Sequence, residues 1–134
     1  MGLFSSKPKP SNKILVVDDS RLIQQTQGFE VRQLGYEVVF ANSGADALAI
    51  AEKEPPLLIL LDCMMPEMDG WETCLRLKQN PVTKDIPVIM ATGDSSGAGL
   101  EKGFQVGVNA YVIKPVTKEK LKPKFEQLLP KPAA

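Results

Sequence analysis

Two hydrophobic periods alternate along the chain. From Lys13 to Asp18 the run Lys-Ile-Leu-Val-Val-Asp is short, β-branched and unbroken, the pattern of a strand buried on both faces. Helical spacing takes over from about Ser20, and Gly35 is placed to end that helix in the left-handed conformation. Tyr36–Ala41 reads as a second strand, and Ser43 as the cap of a helix reaching about Glu54. Leu57–Asp62 is the most apolar stretch and predicts a central strand. A loop and a helix to about Asn80 follow, closed by Pro81. Ile86–Ala91 predicts a fourth strand, a weaker helix spans about 96–106, and Ala110–Ile113 predicts a fifth strand. Thr117 is placed to cap a last helix ending near Leu129.

Five β-then-α units in one small domain imply a parallel sheet covered by helices on both faces. The right-handed crossover rule leaves few topologies. At this size the expectation is a flavodoxin-like doubly wound sheet of five parallel strands, order 2-1-3-4-5, with five helices. The domain is expected over 13–129, between a flexible leader (1–12) and a flexible tail (130–134), both rich in Pro, Lys and Ser. Gly2 and Ser6 fit the loose N-myristoylation pattern, but six residues match that pattern often by chance, and a plain leader is the preferred reading.

Charge narrows the function classes. Lys plus Arg and Asp plus Glu are 16 each, so no global field draws the protein to nucleic acid or an anionic membrane. The segment 114–134 carries six Lys against two Glu, yet it lacks the Arg and aromatic interleaving of a nucleic-acid surface. No apolar run reaches the roughly 18 residues of a membrane span, which predicts a cytoplasmic protein. Cys63 and Cys74 read as free thiols. With 0 histidines, the chain cannot itself be a His-based acid–base catalyst, a His-ligated zinc protein or a phosphohistidine donor.

Ligands of such sheets bind at the carboxyl ends of the strands, where the order switches between the first and third. There the sequence places Asp18 and Asp19 after the first strand and Asp62 after the third. Three neighbouring carboxylates repel unless a proton or a cation relieves them, and a hard divalent ion such as Mg²⁺ suits oxygen donors. Thr92 follows the fourth strand and Lys114 the fifth. An acceptor oxygen, a metal, a hydroxyl and an ammonium are the parts of phosphoryl transfer. Each residue alone would be a bland strand end; all five on one rim point to chemistry.

Val17-Asp18-Asp19-Ser20, the segment Asp62-Cys-Met-Met-Pro-Glu-Met-Asp-Gly70, Ala91-Thr92-Gly93 and Lys114-Pro115 together resemble the receiver domain of bacterial two-component response regulators. The resemblance covers roughly 12–129. It implies phosphorylation of Asp62 by a sensor histidine kinase or phosphotransfer protein, with Thr92 and Lys114 holding the phosphoryl oxygens. Asp19, Asp62 and the backbone carbonyl of Met64 would ligate Mg²⁺, and Asp18 would act through water. It also implies a cis peptide at Lys114-Pro115 and a switch in which Thr92 moves and the ring of Tyr111 turns. The readout face would be the fourth helix, fifth strand and fifth helix. Such a protein is a phosphoacceptor with at most intrinsic autophosphorylation and autodephosphorylation activity, not a classical enzyme.

By the same resemblance, Met64 and Asp94 occupy the two positions that tune the lifetime of the acyl phosphate. Met64 cannot orient water by a hydrogen bond whereas Asp94 can, so modest self-dephosphorylation is expected. Trp71 lies close to the acceptor loop and reads as a packing residue whose fluorescence reports the site. Gly97, Gly99 and Gly103 lie in or near the fourth helix and should leave it short or loosely held, as an adapted partner surface. Pro123 should kink the last helix or delay its start to about Lys122. The leading function is a single-domain response regulator that binds a target protein when phosphorylated. A non-phosphorylated interaction module is the alternative. A phosphohydrolase or flavin protein on a related fold is disfavoured, because a D-x-D-x-[TV] pair and a Gly/Thr-rich phosphate loop are absent.

Overall fold

The computed structural model describes residues 12–94, 96–97 and 99–130. The myristoylation pattern at Gly2 and Ser6, nearly all of the expected leader, and the tail beyond Pro130 lie outside the described residues. Ten elements alternate as β1 (Lys13–Val17), α1 (Arg21–Arg32), β2 (Glu37–Ala41), α2 (Gly44–Lys53), β3 (Leu58–Asp62), α3 (Gly70–Gln79), β4 (Val88–Thr92), α4 (Leu100–Val106), β5 (Ala110–Ile113) and α5 (Lys118–Leu128). The strands form one parallel sheet in the expected order, β2-β1-β3-β4-β5, one of the few that the crossover rule leaves.

Strand periodicity sorts the core into two layers. Ile14, Val16, Leu58, Leu60, Ile89, Ala91 and Val112 face one side of the sheet and meet Val31 of α1 and Leu121 and Phe125 of α5. Leu15, Val17, Ile59, Leu61, Val88 and Met90 face the other and meet Ala47 and Ala51 of α2 and Cys74 and Leu77 of α3. β3 lies between β1 and β4 with all five residues buried, which explains its unbroken apolar run. Each such Leu or Ile contributes about 1.5–3 kcal/mol by leaving water.

Four helices carry a side-chain N-cap. Ser20, Ser43, Asp69 and Thr117 accept from the N–H groups of Ile23, Asp46, Glu72 and Lys120 respectively. Gly35 takes φ 95° just after α1, as its position implied. The fourth helix differs from expectation. It is short, as its glycines predict, but begins at Leu100 rather than near 96, because Gly97 adopts φ 81° and Gly99 supplies no capping side chain. Gly103 is buried, so it faces inward and is not part of an exposed partner surface.

Of the two effects expected of Pro123, a kink or a delayed start, the delayed start is not found, and α5 begins where the Thr117 cap predicts. The helix runs unbroken from Lys118 with Pro123 inside it. Its first turn is held by the Thr117 cap, by Glu30 Oε1 accepting from the Lys118 N–H at 2.8 Å, and by the burial of Leu121.

Candidate phosphoacceptor site

Register places the acids. Val17 pairs with Leu61 across the β1–β3 ladder, so Asp18, Asp19 and Asp62 emerge side by side at the carboxyl rim. Their oxygens come within 4.8 Å of one another. Asp18 and Asp62 are buried and Asp19 is exposed, a gradient from sheet to solvent. Thr92 ends β4 beside Asp62, and the Lys114 N–H donates to the Thr92 carbonyl at 2.8 Å, setting Lys114 over the same rim.

Charge at the rim is only partly balanced. Lys114 Nζ donates to Asp62 Oδ1 at 2.9 Å and lies 3.5 Å from Asp18 Oδ2. Burial pulls the Lys114 ammonium down; the hydrogen bond to Asp62 and the charges of Asp62 and Asp18 outweigh it and leave its pKa raised. Burial pushes the Asp18 carboxyl up, against the pull of the Ser20 N–H, which Asp18 Oδ1 accepts at 2.9 Å. The Met64 N–H donates to Asp62 Oδ1 at 3.3 Å, while the Met64 side chain is exposed.

One oxygen stands out. Asp18 Oδ2 is buried without a hydrogen-bond partner among the described residues, an expensive state for a carboxylate. A hard cation or its bound water answers that deficit, and three carboxylates against one ammonium favour it further. The donor set therefore fits Mg²⁺.

The remaining expected residues fall beside this cluster. Thr92 Oγ1 accepts from the Asp94 N–H at 3.1 Å, and Asp94 Oδ1 accepts from the Ser96 N–H at 2.8 Å. The Ser96 side chain and N–H hold the Asp94 carboxyl below the usual carboxylate range. Asp94 is thus engaged within its own loop. The Lys114–Pro115 peptide is cis. Tyr111 is half-buried, with its hydroxyl donating to the Gly99 carbonyl at 3.1 Å. A crevice of about 570 Å³ joins these parts, lined among others by Cys63, Met64, Trp71, Thr92, Leu100 and Tyr111.

Two supports escaped the sequence. The buried Gln24 side chain donates through Nε2 to the Asp18 carbonyl at 2.7 Å and the Ala41 carbonyl at 3.4 Å, tying the acidic loop to the end of β2. Its only signal was its place one helical turn after the cap. Gly70 brings α3 against the Asp62–Cys63 peptide: a Cβ there would lie 2.7 Å from the Cys63 Cα and closer still to the Asp62 carbonyl.

Fold and acidic rim together define an α/β signalling domain of the receiver type. The family model of the response regulator receiver domain matches residues 14–126, and the chain belongs to that family. It is 38% identical over 109 residues to Protein PilG of Pseudomonas aeruginosa, covering 81% of each chain. It spans about half the length of several other curated relatives that it matches. The chemotaxis protein CheY4 of Vibrio cholerae has the same fold, with a TM-score of 0.81, 33% identity, and coverage of 87% of this chain and 98% of that one. The receiver domain of sensor histidine kinase PA1611 from Pseudomonas aeruginosa superposes with a TM-score of 0.80 at 27% identity, covering 87% of this chain and 96% of that one; it carries a magnesium ion coordinated in its active-site cleft.

Proposed function

We propose that this protein is a single-domain response regulator whose Asp62 accepts a phosphoryl group from the phosphohistidine of a sensor kinase or phosphotransfer protein. An Asp62 carboxylate oxygen forms the new bond to phosphorus as the phosphorus–nitrogen bond of the donor breaks. Lys114 and Thr92 neutralise the phosphoryl oxygens by donating to them. Asp19, Asp62 and the Met64 carbonyl would hold Mg²⁺ directly and Asp18 through a water; when bound, the ion would offset charge on the same oxygens.

The observation that carries this reading is Asp18 Oδ2, buried without a hydrogen bond among the described residues, inside a cluster of three carboxylates and one ammonium. The contact of that oxygen with Lys114, at 3.5 Å, leaves room for a further ligand. The magnesium in the PA1611 receiver domain supports the metal assignment, and the functional domain is assigned to 13–129.

Output follows the charge. A phosphoryl group on Asp62 draws Thr92 toward it, and the Tyr111 ring turns into the space released. The target protein docks on α4, β5 and α5, a face on which Phe104 is 80% exposed and Leu100 45% exposed. Among the described residues no helix is long and apolar enough to cross a membrane, in keeping with a cytoplasmic role. With Met64 unable to orient water and Asp94 the one tuning position able to do so, self-dephosphorylation is modest.

The test is direct. Mg²⁺ with beryllofluoride shifts the Trp71 emission, and acetyl phosphate adds the mass of one phosphoryl group, about 80 daltons. Asp62→Asn abolishes both responses. A wild-type protein that ignores both reagents is a non-phosphorylated interaction module, and the proposal fails.

A further inference from the structure

Gly99 and Gly103 stand one helical turn apart, at the cap and in the middle of α4. A Cβ on either would meet an aromatic side chain at less than ordinary contact distance. A Cβ on Gly103 would overlap the Tyr111 hydroxyl oxygen and lie 2.6 Å from Tyr111 Cζ. A Cβ on Gly99 would lie 2.8 and 2.9 Å from Cζ2 and Cη2 of Trp71. Neither glycine is explained by its backbone: Gly99 has φ −92°, and Gly103 lies within the helix. Glycine is disfavoured inside a helix relative to alanine, so space is the remaining reason for Gly103. The notch holds the Tyr111 ring 6.3 Å from that of Trp71, with the hydroxyl donating to the Gly99 carbonyl at 3.1 Å and placed 3.4 Å from that of Leu100.

We infer that the Gly99–Gly103 notch is a seat for Tyr111, and that Gly103 is the positioning residue that sets how often the ring is seated on α4 rather than turned into the crevice beside Thr92. The inference rests on the phosphoacceptor reading for its functional meaning. Seat and crevice are alternative places for one ring. Whatever spoils the seat therefore raises the turned-in population, and by reciprocity it tightens binding of a phosphoryl mimic by the same factor. The short, glycine-bearing helix thus biases the switch through its shape.

Gly103→Ala fills the seat with one methyl group. In protein without metal or mimic, the nuclear Overhauser contacts between the Tyr111 and Trp71 rings are present in the wild type and lost in Gly103→Ala. With Mg²⁺ present, the apparent affinity for beryllofluoride rises about fivefold in Gly103→Ala. In a Tyr111→Ala background the same substitution leaves that affinity unchanged. Persistent ring contacts in Gly103→Ala overturn the inference. So does an equal affinity change in both backgrounds, which would report helix propensity instead. If Gly103→Ala folds poorly, Tyr111→Phe removes the hydroxyl without filling the notch and has to shift affinity in the same direction; no shift overturns the inference. A wild type indifferent to beryllofluoride sinks the phosphoacceptor reading, and the ring contacts alone then decide the seat.

Discussion

The ammonium of Lys114 reaches Asp62 Oδ1 across 2.9 Å, joining the ends of two strands, β5 and β3, that are separated in the sheet by β4. One cation therefore spans the rim above Thr92. Replacing Lys114 with Met leaves three acids uncompensated. Beryllofluoride affinity should fall at least about tenfold, while Mg²⁺ affinity should rise about threefold as the competing charge disappears. Calorimetric titration of both ligands separates the two effects, and a parallel loss of both would contradict this account.

Relief of the crowded carboxylates should register as stability. Saturating Mg²⁺, at about 100 times its Kd, should stabilise the fold by about 2.7 kcal/mol and raise Tm by several degrees over the value in chelator. Asp19→Asn should abolish most of that rise while leaving the Tm in chelator unchanged or higher. Thermal melts followed by circular dichroism decide the matter.

Gln24 links the acidic loop to the neighbouring strand end through two carbonyls. Gln24→Leu preserves approximate volume but leaves both carbonyls without this donor, at about 1–3 kcal/mol. Mg²⁺ affinity should weaken as well, since the Asp18 backbone is then held to the end of β2 only by its own N–H on the Ala41 carbonyl, at 3.1 Å. A variant with unchanged metal affinity and lowered Tm would make Gln24 a packing residue only.

Alkaline pH should expose the second cysteine. Burial pushes the Cys74 thiol up to about 11 from an ordinary 9.0. The folded protein thus keeps a proton that the unfolded chain has released, so stability falls as pH rises from about 9 through 11, by about 2–3 kcal/mol in all. Lys78 opposes this, because burial lowers its ammonium and its contribution grows with pH over part of the same range. The measurement is therefore the difference between wild type and Cys74→Ala, whose stability should fall less steeply between pH 9 and 10.5. In native protein at pH 8 the fully buried thiol should resist iodoacetamide, and it should react once the chain is unfolded.

Much of this molecule was legible in its sequence. Unbroken apolar runs and interleaved caps specified the parallel sheet, and that topology alone brought Asp18, Asp19, Asp62, Thr92 and Lys114 to one rim. What stayed hidden depends on distances between segments remote in sequence. Gln24 reads as a surface residue until the loop folds over its amide. Gly99 and Gly103 read as weak helix formers until two rings are placed against them. α4 starts later than the helical spacing predicts because Gly97 takes a left-handed conformation that no local pattern announces, and α5 keeps the start that Thr117 predicts despite Pro123 because Glu30, 88 residues away from Lys118, helps anchor its first turn.

Gly70 carries one last consequence. Its N–H donates to the Cys63 carbonyl at 3.1 Å, and no side chain separates the first turn of α3 from the acceptor peptide. The acceptor loop and the indole of the next residue, Trp71, consequently behave as a single lever. If Asp62 accepts a phosphoryl group as proposed, the change there has two routes to α4, one through Thr92 and Tyr111 and one through this bare contact, and both end at the same pair of glycines.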